Sequence, residues 1–309
     1  MRAQTVTESF TSAGGSFSIQ FVQIGNPNNS GDVGTDFPYG MPYSRGSVPY
    51  TYLISKYEIP RGVVGGANIG ITLGDLNSLV PGYHKDNFYG HPAIGISWYE
   101  ALKFINFLNS SAGSPQAYNF DNSGNLLLWS PSDSGFNPSN RLRNSFAKYF
   151  LPNADEWYKA GFGSPSGDWF KFSNGSNTPP ASVSGGLSGE VYSRPWGEGP
   201  AFAENAGGPS PWGTVGQGGN VSEWTETAFD GNYDNLGETV EVRGGSWSDS
   251  QAAISSSLRI GDSPTSEGIT YGFRVAMVPE PSSLSLLLLG GALLMAGRRR
   301  RGEIPKLVK

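Results

Sequence analysis

The chain has 309 residues, a formal net charge of −5, 44 glycines, 22 prolines, two histidines and no cysteine. The negative charge leaves no basic surface for nucleic acid, so we expect no nucleic-acid partner. The absence of cysteine excludes disulfides, thiolate metal sites and thiol nucleophiles. The eight tryptophans and an aromatic share of 13% are typical of a packed core, and the glycine and proline content predicts a globular domain rich in loops.

Alternation of apolar and polar residues predicts two β-strands near the N-terminus, at residues 16–26 and 50–59. Residues 110–145 are rich in glycine, serine and asparagine, which indicates a long loop. The leucines inside that loop favour one hairpin within it. Residues 272–276 predict a closing strand.

Two helices are predicted from their capping residues. Ser97 can accept a hydrogen bond at the start of the first helix, and Glu100, three residues later, completes a capping box. Asn153 and Glu156 have the same spacing at the start of the second helix. Apolar residues follow each start at helical spacing, so both helices are expected to bury one face.

The C-terminal segment, residues 278–309, differs in composition from the rest of the chain. It contains in order Pro279, Glu280 and Pro281, an uncharged leucine-rich stretch at 282–297, and the basic residues Arg298, Arg299, Arg300 and Arg301. The stretch is shorter than the roughly 20 residues of a typical spanning helix, but snorkelling and bilayer thinning accommodate such lengths. It predicts a C-terminal transmembrane helix with the arginines on the cytoplasmic side.

This arrangement resembles the PEP-CTERM sorting signal of bacterial exosortase substrates. The resemblance implies export, anchoring in the membrane through the helix, and cleavage near Pro279–Pro281 by an exosortase-type sorting enzyme. The expected location is therefore the cell surface or the extracellular matrix of a bacterium. The first residues lack the apolar stretch of a signal peptide. We interpret residues 1–15 as the remnant of a leader or a linker, from a start codon assigned too late or a signal left out of the sequence.

Four motifs stand in a fixed order in the remaining chain. They are IGISWYEA at 94–101, LPNADEW at 151–157, GGNVSEW at 218–224, and RGGSW at 243–247 followed by GFRV at 272–275. Together with Pro195-Trp196-Gly197, they resemble the sulfatase-modifying-factor family, whose best-known member is the formylglycine-generating enzyme. The resemblance implies a single loop-rich α+β domain at residues 16–277, related to the C-type lectin fold.

The resemblance also indicates where the catalytic residues of the family lie. This chain differs from the family at those positions. The formylglycine-generating enzyme oxidises a substrate cysteine with copper that two cysteines hold, shortly after the RGGS segment. Here that stretch contains Asp249 and Ile254, and neither side chain can replace a thiolate as a soft ligand for Cu(I). We therefore expect no copper and no formylglycine-generating activity.

A structural calcium ion is the candidate cofactor. In the family, an asparagine and a glutamate that match Asn220 and Glu223 hold calcium together with intervening backbone carbonyls, such as that of Val221. Hard oxygen ligands on a tight turn suit this ion. The alternative is a turn held by hydrogen bonds alone. Arg243 and Arg274 are predicted to pair with buried carboxylates, for example Glu223 or Glu156.

Three tryptophans are candidate ligand contacts. Trp129, Trp169 and Trp212 lie in segments rich in glycine, serine and proline. Exposed tryptophans in loops can stack on sugars or anchor a protein partner. Packing at the edge of the core is the alternative for each of them.

These observations predict an exported, non-catalytic domain that binds an extracellular polymer, such as a polysaccharide, or a protein. Two other functions stay open at this point. One is an enzyme with cysteine-independent chemistry in the groove of the family, and the other is a structural matrix component without a specific ligand. A resemblance of fold does not decide among these three.

Overall fold

The structure is a computed structural model that describes residues 4–34, 45–74, 89–232 and 236–279. Its strands are β1 (Thr5–Ser12), β2 (Gly15–Ile24), β3 (Tyr52–Ser55), β4 (Asn119–Phe120), β5 (Leu126–Leu127), β6 (Tyr149–Phe150), β7 (Ser222–Ala228), β8 (Val240–Arg243), β9 (Ile260–Asp262), β10 (Tyr271–Phe273) and β11 (Ala276–Met277). Its helices are α1 (Arg61–Ala67), α2 (Trp98–Ser111) and α3 (Ala154–Phe162), with 3₁₀ turns at Trp196–Glu198 and Ala203–Asn205. The domain is therefore α+β and rich in loops, as predicted.

The larger sheet has five strands in the order β1-β2-β3-β11-β6, and every neighbouring pair is antiparallel. Its first strand corrects the interpretation of residues 1–15 as a leader remnant or linker. β1 pairs with β2 along its whole length, from Thr5 opposite Val22 to Ser12 opposite Gly15. Phe10 of β1 is buried in the core, so this strand is part of the domain.

The second sheet has four strands in the order β10-β7-β8-β9, with β10 parallel to β7 and the other pairs antiparallel. Two predicted strands differ from the structure because the chain crosses between the sheets. β3 ends at Ser55, and Ile59 donates its N–H to the carbonyl of Phe273 at 3.0 Å. The predicted closing strand is divided into β10 in one sheet and β11 in the other, with Arg274 between them.

Both predicted helices begin where the capping residues indicate. Ser97 accepts from the N–H of Glu100, whose side chain accepts from the N–H of Ser97, and Asn153 and Glu156 form the same reciprocal pair at α3. The predicted hairpin in the long loop is the β4–β5 pair. Tryptophans then link the motifs: the indole of Trp98 donates to the carbonyl of Thr225 at 2.9 Å.

No helix in residues 4–34, 45–74, 89–232 or 236–279 is long and apolar enough to cross a membrane. The transmembrane helix predicted at 282–297 lies outside the described residues. The same is true of Glu280, Pro281 and the four arginines at 298–301. Pro279 is the last described residue, and it is exposed.

Candidate functional site

The GGNVSEW turn is buried, and its backbone conformation depends on two residues. Gly219 has φ +105°, and a Cβ there would lie 2.4 Å from the carbonyl oxygen of Val191, so the position accepts only glycine. Asn220 follows in the left-handed region with φ 62°, which asparagine tolerates better than most residues. Its N–H donates to the Val191 carbonyl at 2.8 Å. The turn therefore holds the Asn220 side chain in a fixed direction.

Glu223 is held by an arginine. The Arg274 Nε–H donates to both carboxylate oxygens of Glu223, at 2.9 and 3.0 Å, and the Trp157 indole donates to Oε2 at 2.7 Å. Both charged side chains are fully buried. This confirms that Arg274 pairs with a buried carboxylate. Arg243 also pairs with a buried carboxylate, but with Glu241, at 2.6 Å, and not with either of the two glutamates named as examples.

Both the oxygen and the nitrogen of the Asn220 side-chain amide form hydrogen bonds. Its Oδ1 accepts from the N–H of Ala201 at 2.8 Å, and its Nδ2 donates to Glu58 Oε2 at 2.6 Å. The N–H of Val221 donates to the other oxygen of Glu58 at 3.2 Å. Burial and the nearby negative Glu223 raise the pKa of Glu58 well above its ordinary value. Neither Glu58 nor Glu223 reaches the surface, so neither is placed to act on a substrate.

These contacts test whether the turn suits a calcium ion. Calcium needs several oxygen ligands that point at one position. Here Asn220 Oδ1 is bonded to a backbone N–H, and both oxygens of Glu223 are bonded to a guanidinium. The positive charge of Arg274 stands where a cation would have to approach Glu223. The side chains as arranged therefore do not fit a calcium ion.

Asp249 and Ile254, which the resemblance places in the stretch of the family's copper ligands, have other contacts. Asp249 caps a turn: its Oδ2 accepts from the N–H and the hydroxyl of Ser246 at 2.8 and 2.7 Å. Ile254 is fully buried in a small cluster with Phe172 and Tyr192. The cavity beside them, next to Gly245, has a volume of only about 70 Å³. This part of the chain is therefore a packed turn.

Of the three candidate tryptophans, one is buried and two are half-buried. Trp212 is only 6% exposed and packs in a core cluster, which corrects its assignment as a surface contact. Trp129 is half-buried, and its indole donates to the Ala117 carbonyl at 3.0 Å. Trp169 is half-buried against Tyr158, with ring centroids 5.5 Å apart. The loops that carry these three tryptophans therefore pack against the core.

Trp196 is the exposed tryptophan that the sequence analysis missed. It is 50% exposed, and its ring lies 5.5 Å from that of the buried Trp247. The Trp247 indole also donates to the Trp196 carbonyl at 3.2 Å. Its place between Pro195 and Gly197 was a usable signal, because a turn of that composition rarely buries a large side chain.

An open depression of about 490 Å³ lies beside this 3₁₀ turn. Its lining includes His91, Ser184, Glu198, Phe202 and Asn205. The imidazole of His91 stacks on Phe202 with centroids 4.1 Å apart, and its Nδ1 lies 3.1 Å from the Pro200 carbonyl. Burial lowers the pKa of His91 to about 4, so the ring is neutral at pH 7. Because its lining comes from distant segments, no local pattern indicated this depression.

Comparison with known proteins agrees with this fold. Residues 72–278 match the family model described as sulfatase-modifying factor enzyme 1-like domain. The chain therefore belongs to this family. No curated protein matches it.

The chain is also similar to solved structures, and each similarity extends over nearly the whole length of the other protein. Treponema denticola variable protein 1 is 20% identical with a TM-score of 0.63, covering 89% of this chain and 99% of its own. CarF is 18% identical with a TM-score of 0.56, covering 85% and 99%. PvdO from Pseudomonas aeruginosa is 15% identical with a TM-score of 0.54, covering 88% and 98%. At these identities the similarity shows the fold.

Proposed function

We propose that this chain is an exported, non-catalytic member of the sulfatase-modifying-factor family that binds an extracellular polymer or protein. One observation carries the proposal. In the stretch where the resemblance places two copper-binding cysteines, this chain has Asp249, hydrogen-bonded to Ser246, and the buried Ile254. The scaffold of the family is retained while the groups for its oxidation are lost, and a retained scaffold with an open surface depression suits binding.

Export and sorting are the second part of the proposal. Only Val278 separates β11 from Pro279, which is exposed. The Pro-Glu-Pro sequence therefore begins just after the last strand of the domain. The leucine-rich stretch and the arginines that follow motivate a membrane anchor and an exosortase-type partner. Replacing Pro279, Glu280 and Pro281 with alanine should keep the protein in the membrane fraction. Release equal to that of the unchanged chain would contradict this assignment.

Binding and catalysis are tested on residues 1–279, which include every described strand and helix. The fragment should bind the polysaccharide fraction of the producing bacterium's own matrix saturably. It should not oxidise a cysteine peptide supplied with copper and oxygen. Oxidation of the peptide above a no-protein control would overturn the non-catalytic assignment. Binding that disappears when the matrix fraction is treated with a protease would identify a protein as the ligand.

A further inference from the structure

The depression beside the 3₁₀ turn Trp196–Glu198 contains polar groups that are free to bind a ligand. Within the described part of the chain, the hydroxyl of Ser184 and the side-chain amide of Asn205 make no hydrogen bond. Glu198 uses Oε2 to accept from Arg194, while its Oε1 has no partner there. In the interior, by contrast, Asn220 and Glu223 are fully engaged. These three lining side chains therefore have donors or acceptors available to a ligand in the depression.

Two aromatic rings are candidates to stack on a ligand. Trp196 is not among the lining residues, but it precedes the lining residue Glu198 by two positions on the same 3₁₀ turn, and its half-exposed ring packs on Trp247. Phe202 forms part of the wall and is fixed by its stack on His91. A pyranose ring presents an apolar face of C–H groups and a rim of hydroxyls. Rigid aromatic rings beside amide and carboxylate oxygens match both features.

The charge of the depression restricts the ligand further. Glu198 is paired with Arg194, so the two charges offset each other. His91 is neutral at pH 7 because burial lowers its pKa to about 4. The chain as a whole carries a charge of −5, which disfavours an anionic polymer. A ligand without net charge is therefore the best match.

We propose that this depression binds a segment of a neutral polysaccharide without calcium. Trp196 stacks on one sugar ring, and Ser184, Glu198 and Asn205 bind its hydroxyls. The volume of about 490 Å³ lies in the range of roughly 300–1,000 Å³ that is usual for small-ligand sites. A stable protein interface needs about 1,200–2,000 Å² of buried surface, far more than such a depression offers. This inference rests on the proposed binding function and gives it a site and a ligand class.

The test is calorimetric titration of residues 1–279 with neutral hexasaccharides of glucose and of N-acetylglucosamine, and with a hexamer of galacturonic acid as the anionic comparison. Wild type should bind a neutral hexamer equally in calcium and in chelator. Trp196→Ala and Asn205→Ala should each weaken binding about tenfold or more. Trp196→Phe, which keeps a ring, should retain part of the affinity. Phe146→Ala, an exposed aromatic that is neither in the lining nor on the 3₁₀ turn beside it, is the matched control and should bind like wild type.

The outcomes separate this site from the binding function itself. Wild-type affinity in both Trp196→Ala and Asn205→Ala, with thermal unfolding unchanged, would place the binding elsewhere and leave the proposed function standing. Preference for the galacturonic acid hexamer, or binding lost in chelator, would overturn the ligand class. Binding to matrix proteins alone would overturn the ligand class and leave the proposed function standing. Failure of wild type to bind the hexamers, the matrix polysaccharide and the matrix proteins would overturn both proposals. Because Asn205 makes no side-chain bond in the described residues, its variant is expected to fold normally.

Discussion

Arg274 is the central charged residue of the interior. Its guanidinium donates to Glu223 and to the carbonyls of Ser55 at 3.2 Å and Lys56 at 2.9 Å, so one side chain joins β7 to the end of β3. A buried ion pair of this kind is costly to break from one side, because the remaining charge has no partner. Its value lies in fixing a single arrangement of the strands around it.

Arg274→Met should lower the free energy of unfolding by roughly 3–5 kcal/mol, because Glu223 is then buried without its counter-charge. Urea denaturation followed by tryptophan fluorescence measures this change. Adding Glu223→Gln removes the orphaned charge, and the double variant should regain part of the loss. A single variant within about 1 kcal/mol of wild type would mean that Trp157 alone satisfies Glu223.

Glu190 is buried and forms no salt bridge with another described residue. Its Oε1 accepts from the Ser173 hydroxyl at 2.6 Å, and its Oε2 has no hydrogen-bond partner among the described residues. Burial is the main reason that the pKa of Glu190 is raised from 4.5 to about 8. The folded protein therefore keeps a proton that the unfolded chain releases.

The sign of the pH dependence follows from this difference. The contribution of Glu190 to the free energy of unfolding is greatest below about pH 4.5 and decreases as the pH rises to about 8, by up to about 1.4 kcal/mol per pH unit. Glu190→Gln should remove this contribution, so its stability relative to wild type should increase from pH 5 to pH 8. Denaturant titrations at several pH values measure it. The exposed Glu204→Gln is the control for loss of a charge, and equal pH trends in the two variants would contradict the prediction.

At the scale of elements, comparing β1 with the helices shows which structures can be predicted from local sequence patterns. The capping boxes of α2 and α3 were predictable because all of their partners lie within four residues of one another. β1 was not, because its burial depends on pairing with β2 and on one large side chain. Phe10 packs on Phe17 at 5.3 Å and on Tyr149 at 5.4 Å between centroids.

Phe10→Ala should destabilise the domain by about 3–5 kcal/mol, as expected for removing a buried phenylalanine. Thermal and urea unfolding of residues 1–279 measure the loss. Val6→Ala, on the same strand but only half-buried, should cost less. If Phe10→Ala leaves unfolding unchanged, β1 does not belong to the cooperative unit and the linker interpretation returns.

In the candidate site, too, some features could be predicted from the sequence and others could not. The pairing of Arg274 with a carboxylate was predictable because both lie in recognisable motifs. The depression was not, since His91, Ser184 and Asn205 are brought together by loops without periodicity. Trp196 and Trp212 show the same limit: both lie in loops rich in proline and glycine, yet one is half-exposed and the other buried. Tertiary packing alone decides between those outcomes.

For the whole molecule, the arrangement at Asn220 and Glu223 predicts the response to calcium. An ion that binds only the folded state raises the melting temperature with concentration. Because the oxygens of both side chains are already bonded, calcium and chelator should give the same melting temperature. Magnesium at the same concentration controls for ionic strength. A rise specific to calcium would restore the calcium site that the family resemblance implied.

The placement of the last two strands affects how the domain matures. β11 lies between β3 and β6, and β10 lies beside β7, so both sheets remain incomplete until residues 271–277 are available. A nascent chain lacking them exposes unpaired edges on β3 and β6, and such edges readily pair with other chains. The domain can therefore close only after nearly all of it has been translated. We expect a chain truncated before residue 271 to be degraded as a whole.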